Sequence, residues 1–142
     1  MASEITVRGS LYIKKGNKTY QSQPQSFTAD LAATIAKGPV PGAIAVSVLG
    51  TNVDLSELVN PSWCFISNPD TANTIEVGIW NGVDFYPMLD VGPGQGYPVR
   101  LSDNLFEEYH ETGTGTTGAA INTLRLRARP AAGVAVIEAF EK

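Results

Sequence analysis

The sequence predicts an all-β protein, an antiparallel β-sandwich of jelly-roll-like form, with about ten short strands in a single domain spanning residues 1–142. Apolar and polar residues alternate over short segments, turn residues recur at intervals of roughly 8–12 residues, and no segment forms a credible crossover helix. Fourteen glycines and nine prolines supply turns, and only 17% of the residues are charged, which favours short strands over long surface helices.

The N-terminal segment is predicted to contain a strand and a hairpin. One face of the first strand is apolar and the other polar, and the apolar positions are Ile5, Val7, Leu11 and Ile13. Gly16-Asn17 predicts a turn into a second strand at Thr19–Gln23, which Pro24 ends. We interpret residues 1–24 as an extended arm.

Helix and strand compete between Phe27 and Lys37. Asp30 is a suitable N-cap for a short helix that Gly38 would end. Strict alternation of apolar and small polar residues through Ile35 favours a strand instead, because a nine-residue helix with two threonines is marginal alone.

The middle of the chain contains further strand patterns. Gly38–Gly42 is predicted to be a rigid connector, and Ile44, Val46 and Val48 alternate up to Gly50. The nearly unbroken apolar run at Trp63–Asn68 predicts a strand buried on both faces in the middle of the core.

Asn81-Gly82 is the strongest hairpin signal in the chain. It predicts that Thr74–Trp80 pairs with Val83–Leu89 through a type I′ turn. The remaining segments are predicted to be the Gly92–Gly96 loop, strand residues Val99 and Leu101, an apolar stretch at Leu105–Tyr109, a Gly/Thr tract at Thr112–Gly118, and two last strands at Ile121–Arg129 and Val134–Phe140.

Charge and hydropathy exclude several classes of partner. The net charge of −4 and the absence of a basic cluster argue against nucleic acid as the main partner. We find neither a signal-peptide pattern nor an apolar run of about 18 residues, so we expect no membrane partner and a cytoplasmic site of synthesis. One cysteine and one histidine argue against a disulfide, a Cys/His zinc site or a histidine-rich catalytic centre. We expect no cofactor.

Two patterns resemble chemical sites but lack their context. Gly113–Gly118 matches the glycine pattern of dinucleotide-binding loops, yet a period-2 strand follows it where a helix is required, so we interpret it as a loop. Asp103, Glu107, Glu108 and Glu111 surround His110, but alternation along a strand points them to both faces, which favours a solvated edge.

An arginine stripe is the sharpest local feature, and we define it as Arg125, Arg127 and Arg129. These residues share one face of a strand, and each guanidinium can bind a carboxylate through two hydrogen bonds. The stripe therefore offers a docking surface for an acidic partner, although cross-strand pairing with the chain's own Glu and Asp residues is the favoured interpretation.

No nucleophile and base can be paired, so we expect no enzymatic activity. Cys64 lies within an apolar run and is interpreted as a small buried residue. Four aromatic residues are candidates for a sugar-binding platform, although core or subunit packing is the favoured interpretation. These residues are Trp63, Trp80, Tyr86 and Tyr97.

Two segments, Trp63–Ile79 and Phe85–Leu101, carry a resemblance to a known family. Their order is an apolar strand, an Asn-x-Asp turn, an Ile-x-Val-Gly strand, a Phe-x-Pro-x-Leu strand, a Pro-Gly loop and an apolar-Arg-Leu end. This order resembles the small β-sandwich virion proteins of tailed bacteriophages, and most closely the head decoration, or cement, proteins. The chain departs from the expected pattern at Gln95-Gly96, where an acidic residue is expected.

The resemblance implies a non-enzymatic protein of the virion, made in the host cytoplasm. Such proteins assemble, commonly as homotrimers, on the outer surface of the capsid and bridge subunits of the major capsid protein. We expect the arm of residues 1–24, the arginine stripe and the loop residues Thr114, Gly115 and Thr116 to make capsid or intersubunit contacts. A tail or baseplate adaptor and a carbohydrate-binding module are the alternatives.

Overall fold

The computed structural model describes residues 4–30, 37–102 and 123–141, and in these residues the chain is all-β. Every strand pairing is antiparallel. The twelve strands of the described residues are β1 (Ile5–Gly9), β2 (Tyr12–Lys15), β3 (Lys18–Gln21), β4 (Gln25–Ala29), β5 (Val40–Val46), β6 (Thr51–Asn52), β7 (Pro61–Ser67), β8 (Thr74–Trp80), β9 (Phe85–Val91), β10 (Gly96–Arg100), β11 (Thr123–Arg129) and β12 (Gly133–Glu141).

Two four-stranded sheets form the body of the protein and confirm the predicted sandwich-like fold. One sheet has the strand order β10-β7-β12-β5, and the other has the order β6-β11-β8-β9. Buried apolar side chains from both sheets join in a single core cluster. Period-2 alternation explains this arrangement, because each strand directs every second side chain inward.

The register places apolar residues of neighbouring strands opposite each other within the core. Leu126 on β11 pairs with Val77 on β8, and Ile137 on β12 pairs with Ile66 on β7. All four side chains are buried. Slipping any of these strands by one residue would turn its apolar side chains outward, so the core itself fixes the register.

The first four strands form one long hairpin that we call the hairpin arm, Ile5–Ala29. β1 pairs with β4 at its base, and β2 pairs with β3 at its tip. The two parts are joined where Leu11 and Ser22 exchange hydrogen bonds of 2.7 and 2.8 Å. The predicted arm therefore extends beyond residue 24 and is a two-stranded ribbon.

The predicted turn at Gly16-Asn17 is confirmed, since Lys15 pairs directly with Lys18 across it. The prediction of one continuous strand from Ile5 to Ile13 is wrong. β1 ends at Gly9 and β2 begins at Tyr12. Pro24, which lies between β3 and β4, explains this break. Proline has no N–H, so it cannot donate the hydrogen bond that would continue the pairing between the two sides of the ribbon.

The segment at Phe27–Lys37 begins as the favoured strand, β4, and its residues 31–36 lie outside the described part of the chain. The connector predicted at Gly38–Gly42 is partly wrong. β5 already begins at Val40 and ends at Val46, short of Val48. Among the described strands β5 is at the edge of its sheet, and this position is compatible with Pro41, since an edge strand does not need every N–H for pairing.

β7 lies in the middle of its sheet as predicted, but it is not buried on both faces. Cys64 and Ile66 point into the core, whereas Phe65 is 41% exposed on the opposite face. The prediction failed because the outer face of β7 also carries apolar residues, including Trp63. They make the strand apolar on both faces, but they leave the outer face partly exposed.

The hairpin at Asn81-Gly82 is confirmed, but its turn is longer than the predicted type I′ turn. Trp80 pairs with Phe85, so four residues connect the strands. The side-chain oxygen of Asn81 accepts hydrogen bonds from the N–H groups of Val83 and Asp84, at 2.9 and 2.7 Å. Only Gly82 has a positive φ, of 96°, whereas a type I′ turn requires two such residues.

The last two strands match their predictions within the described residues. β11 covers Thr123–Arg129 and β12 covers Gly133–Glu141. The predicted apolar stretch at Leu105–Tyr109, the acidic residues around His110 and the Gly/Thr tract all lie outside the described residues.

Candidate functional site

The arginine stripe lies on the outer face of β11, as its period-2 spacing predicts. Leu124, Leu126 and Ala128 alternate with the arginines and are fully buried. The three guanidiniums therefore stand in a row above the sheet formed by β6, β11, β8 and β9.

Arg125 is held by β6, by the loop before it and by a tryptophan. Its guanidinium donates to the side-chain oxygen of Asn52 at 3.0 Å and to the carbonyl of Leu49 at 3.1 Å. The same group lies 4.2 Å from the ring centroid of Trp80, a cation–π contact. Arg125 is thus fixed between neighbouring residues of this chain.

Arg127 and Arg129 share one carboxylate. Their Nε atoms lie 2.6 and 3.0 Å from the same oxygen of Glu76 on β8. Arg127 also lies over the ring of Phe85. Arg127 and Arg129 are therefore paired with an acidic residue of the same chain, as the interpretation of cross-strand pairing predicts.

The stripe differs from end to end in how much of it solvent can reach. The side chain of Arg127 is 26% exposed, whereas that of Arg129 is 58% exposed. The Arg129 side chain is therefore more accessible to an external carboxylate than that of Arg127. The other predicted contact residues, Thr114, Gly115 and Thr116, lie outside the described residues.

The hairpin arm is the most exposed part of the described chain. Every residue of β2 and β3 is exposed, and the large apolar side chains of the tip remain 45–59% exposed. These side chains are Leu11, Tyr12, Ile13 and Tyr20. Nothing described in this chain covers the apolar surface of the tip. A two-stranded ribbon of this kind is only marginally stable in water by itself.

The base of the hairpin arm touches the body. The rings of Phe27 and Trp63 lie 5.6 Å apart in a tilted arrangement. An apolar groove of about 470 Å³ separates β1 from the outer face of β7, with Ile5, Val7 and Phe65 in its walls. The contact between these two rings therefore joins the base of the arm to the sheet that contains β7.

Charge is divided between arm and body. The hairpin arm contains four basic residues and no acidic one, which gives it a charge of +4. The other residues include six basic and fourteen acidic ones, for a charge of −8. Our sequence reasoning considered only the overall charge and missed this division, although the residue order alone carries the signal.

The two turns that carried the family resemblance meet at one end of the sandwich. The side-chain amide of buried Asn68 donates to the carbonyls of Val91 and Asn73, at 2.9 and 2.8 Å. The N–H of Gly94 donates to the carbonyl of Asn68 at 2.9 Å. The Asn-x-Asp turn and the Pro-Gly loop are thus locked together.

Asp70 completes that turn. The backbone N–H of Ala72, followed by the side-chain amide of Asn73, hydrogen-bonds its carboxylate and holds its pKa below the usual value. Because the donors lie within three residues of Asp70, the lowered pKa reflects a local turn.

Cys64 is buried, as predicted. Loss of hydration, reinforced by the negative charge of Glu138, raises the pKa of its thiol to about 12. Among the residues that the structure describes, no three or more His, Cys, Asp and Glu side chains form a cluster suited to a metal ion.

The four candidate aromatic residues do not form one platform. Trp63 and Tyr97 belong to the sheet containing β7 and β10, whereas Trp80 and Tyr86 belong to the sheet containing β8 and β9. Arg125 lies over the ring of Trp80.

The described ranges contain no helix of the length and apolar character needed to span a bilayer. Comparisons with protein-family models, curated proteins and solved structures find no significant match to this chain.

Proposed function

We propose that this chain is a structural, non-enzymatic virion protein that decorates the outer surface of an assembled phage head. In this role it binds the major capsid protein, bridges neighbouring capsid subunits and acts as a homo-oligomer, with a trimer as the expected form. Binding the assembled shell but not free subunits stabilises the shell by mass action. Repetition by symmetry adds avidity without any catalytic group.

The observation that carries this proposal is the hairpin arm. Its tip offers exposed apolar side chains and lysines on a ribbon that has little stability of its own. Such a segment is typical of a protein that becomes buried against neighbouring subunits in an assembly. The resemblance of Trp63–Ile79 and Phe85–Leu101 to head decoration proteins supports the same role.

The arginine stripe has a secondary part in this proposal. Arg129 keeps exposed guanidinium surface for an acidic partner, whereas Arg125 and Arg127 are engaged within the chain. We therefore expect capsid contacts at the Arg129 end of the stripe.

The test uses heads and tails of the phage that encodes this chain, produced with its gene deleted. Purified chain is mixed with either particle and sedimented, and the heat resistance of the heads is then measured. We expect saturable binding to heads, no binding to tails, and heads that release their DNA at a higher temperature. Arg129→Gln should weaken head binding, with Lys37→Gln as a control on a separate surface.

Other results would overturn the proposal. Binding to tails alone would assign the chain to a tail or baseplate adaptor. A monomer that ignores both particles but binds a glycan array would assign it to the carbohydrate-binding class.

A further inference from the structure

The tip of the hairpin arm has one face that is both apolar and basic. Cross-strand partners share a face, so the pairs Ile13–Tyr20 and Lys15–Lys18 place these four side chains together. We call these four residues the tip face. Like charges directly opposite each other disfavour pairing, and neither lysine forms an ion pair with a residue that the structure describes.

An edge of the body has the complementary character. Among the described strands β9 is the outermost of its sheet; Met88 within it is 68% exposed, and Val83 in the turn before it is 77% exposed. Asp84 and Asp90 are exposed on the same segment. Tyr86 adds a further exposed ring, and we call these five residues the β9 rim.

The carboxylates of the β9 rim lack a counter-charge in the described part of the chain. Neither Asp84 nor Asp90 takes part in an ion pair there, and Asp90 stands directly opposite Glu76. Glu76 is already paired with Arg127 and Arg129, so Asp90 is the member of this pair that has no ion-pair partner in the described residues. A basic group from outside would supply one.

We propose that the tip face of one copy docks on the β9 rim of a second copy of this chain. The tip supplies apolar side chains and two lysines, and the rim supplies apolar side chains and two aspartates. The charge of +4 on the arm against −8 on the remaining residues favours a second copy as the occupant.

Side chains, and not strand addition, make this contact. β9 contains Pro87, which has no N–H, and an irregular register around Met88. Both features discourage pairing of another strand along this edge. The lysines, Ile13 and Tyr20 instead meet the exposed side chains of the rim.

This inference rests on the proposed function in taking the chain to be self-assembling, but it is tested without capsids. Sedimentation equilibrium at low salt measures the dissociation constant of the full chain. Lys15→Glu with Lys18→Glu, or Asp84→Lys with Asp90→Lys, should each weaken self-association at least about tenfold, since each places like charges across the contact.

The four substitutions combined in one chain should restore association, because the charges are exchanged and again opposite. Glu57→Lys with Glu138→Lys is the matched control: it makes the same charge change at exposed positions away from the β9 rim and should leave association unchanged. Circular dichroism checks that every variant folds.

Three outcomes would overturn the inference: a wild-type chain that stays monomeric, association unaffected by the tip-face variant, or a combined variant that fails to regain association while folded. A monomer that still binds heads would leave the proposed function standing. If the chain self-associates in the charge-dependent way described but does not bind heads, the proposed function is rejected and the inference about self-association is retained.

Discussion

Glu76 is the residue on which the outer face of β11 depends. One of its oxygens accepts a hydrogen bond from Arg127 and forms an ion pair with Arg129, and its side chain is only 13% exposed. The alternation of arginines was readable from the sequence because period 2 is a local property. Their partner was not, because Glu76 lies some fifty residues away in the chain and only the register of β8 brings it opposite Arg127.

Replacing Glu76 by Gln should lower the free energy of unfolding by about 1–3 kcal/mol, because the partly buried guanidinium of Arg127 loses its charged acceptor and the exposed Arg129 loses its ion-pair partner. Urea denaturation at neutral pH measures the change. Glu138→Gln, on an exposed position of the other sheet, should stay within about 0.5 kcal/mol of the wild type. Equal effects of the two substitutions would contradict this role of Glu76.

Cys64 should make the protein less stable at alkaline pH. Its pKa is raised from 9.0 to about 12 in the folded state, so between these values the unfolded chain binds fewer protons than the folded one. The contribution of the thiol is therefore complete below pH 9.0 and declines as pH rises toward 12. Unfolding curves at pH 8 and near pH 11 should show a larger loss for the wild type than for Cys64→Ala. Parallel losses would refute the assignment.

At the scale of elements, β8 and β9 are held together around a local irregularity. The register shifts between Val77 and Gly78, so that Met88 has no direct partner on β8. At Gly78 the backbone of β9 comes so close that a Cβ would collide with the carbonyl of Tyr86. A glycine is therefore required at this position for steric reasons.

Gly78→Ala should destabilise the protein by about 1–3 kcal/mol, because the added methyl group must displace backbone atoms of β9. Gly9→Ala is the matched comparison, since a Cβ at Gly9 meets no atom within 4 Å. Thermal unfolding should place the Gly78 variant clearly below the Gly9 variant. Similar melting temperatures would show that β9 can move aside freely.

The strands themselves were largely predictable, because alternation and turn residues act over a few positions. Their exact limits and the length of the Asn81 turn were not. Asn81 caps the turn with its own side chain, which adds two residues to the connection, and dipeptide preference alone carries no such information. The prediction that β7 is buried on both faces failed for a similar reason. Whether the outer face is buried depends on which other parts of the chain pack against it, and the sequence of the strand does not show this.

The molecule as a whole consists of a well-packed body and an arm that leans on it. Nearly all fully buried side chains come from the two four-stranded sheets and the loops that join them. None comes from Ile5–Ala29. Local opening should therefore be far easier in the arm than in β7, β11 or β12.

Limited trypsin digestion of dilute protein should cleave first after Lys14, Lys15 or Lys18 and leave a fragment containing the body. Residues 103–122 contain no Lys or Arg, so trypsin cannot cleave within that segment. Mass spectrometry identifies the first product. Initial cleavage after Arg100 or Arg125 would show that the body opens before the arm.

The position of β12 has a consequence for synthesis. It lies between β5 and β7, although both precede it in the chain by more than sixty residues. During synthesis, the edges of β5 and β7 that pair with β12 remain unpaired until Gly133–Glu141 has left the ribosome. Only then can this sheet form completely. We therefore expect this sheet to fold slowly relative to a local hairpin, and its unpaired strand edges to favour aggregation until β12 is in place.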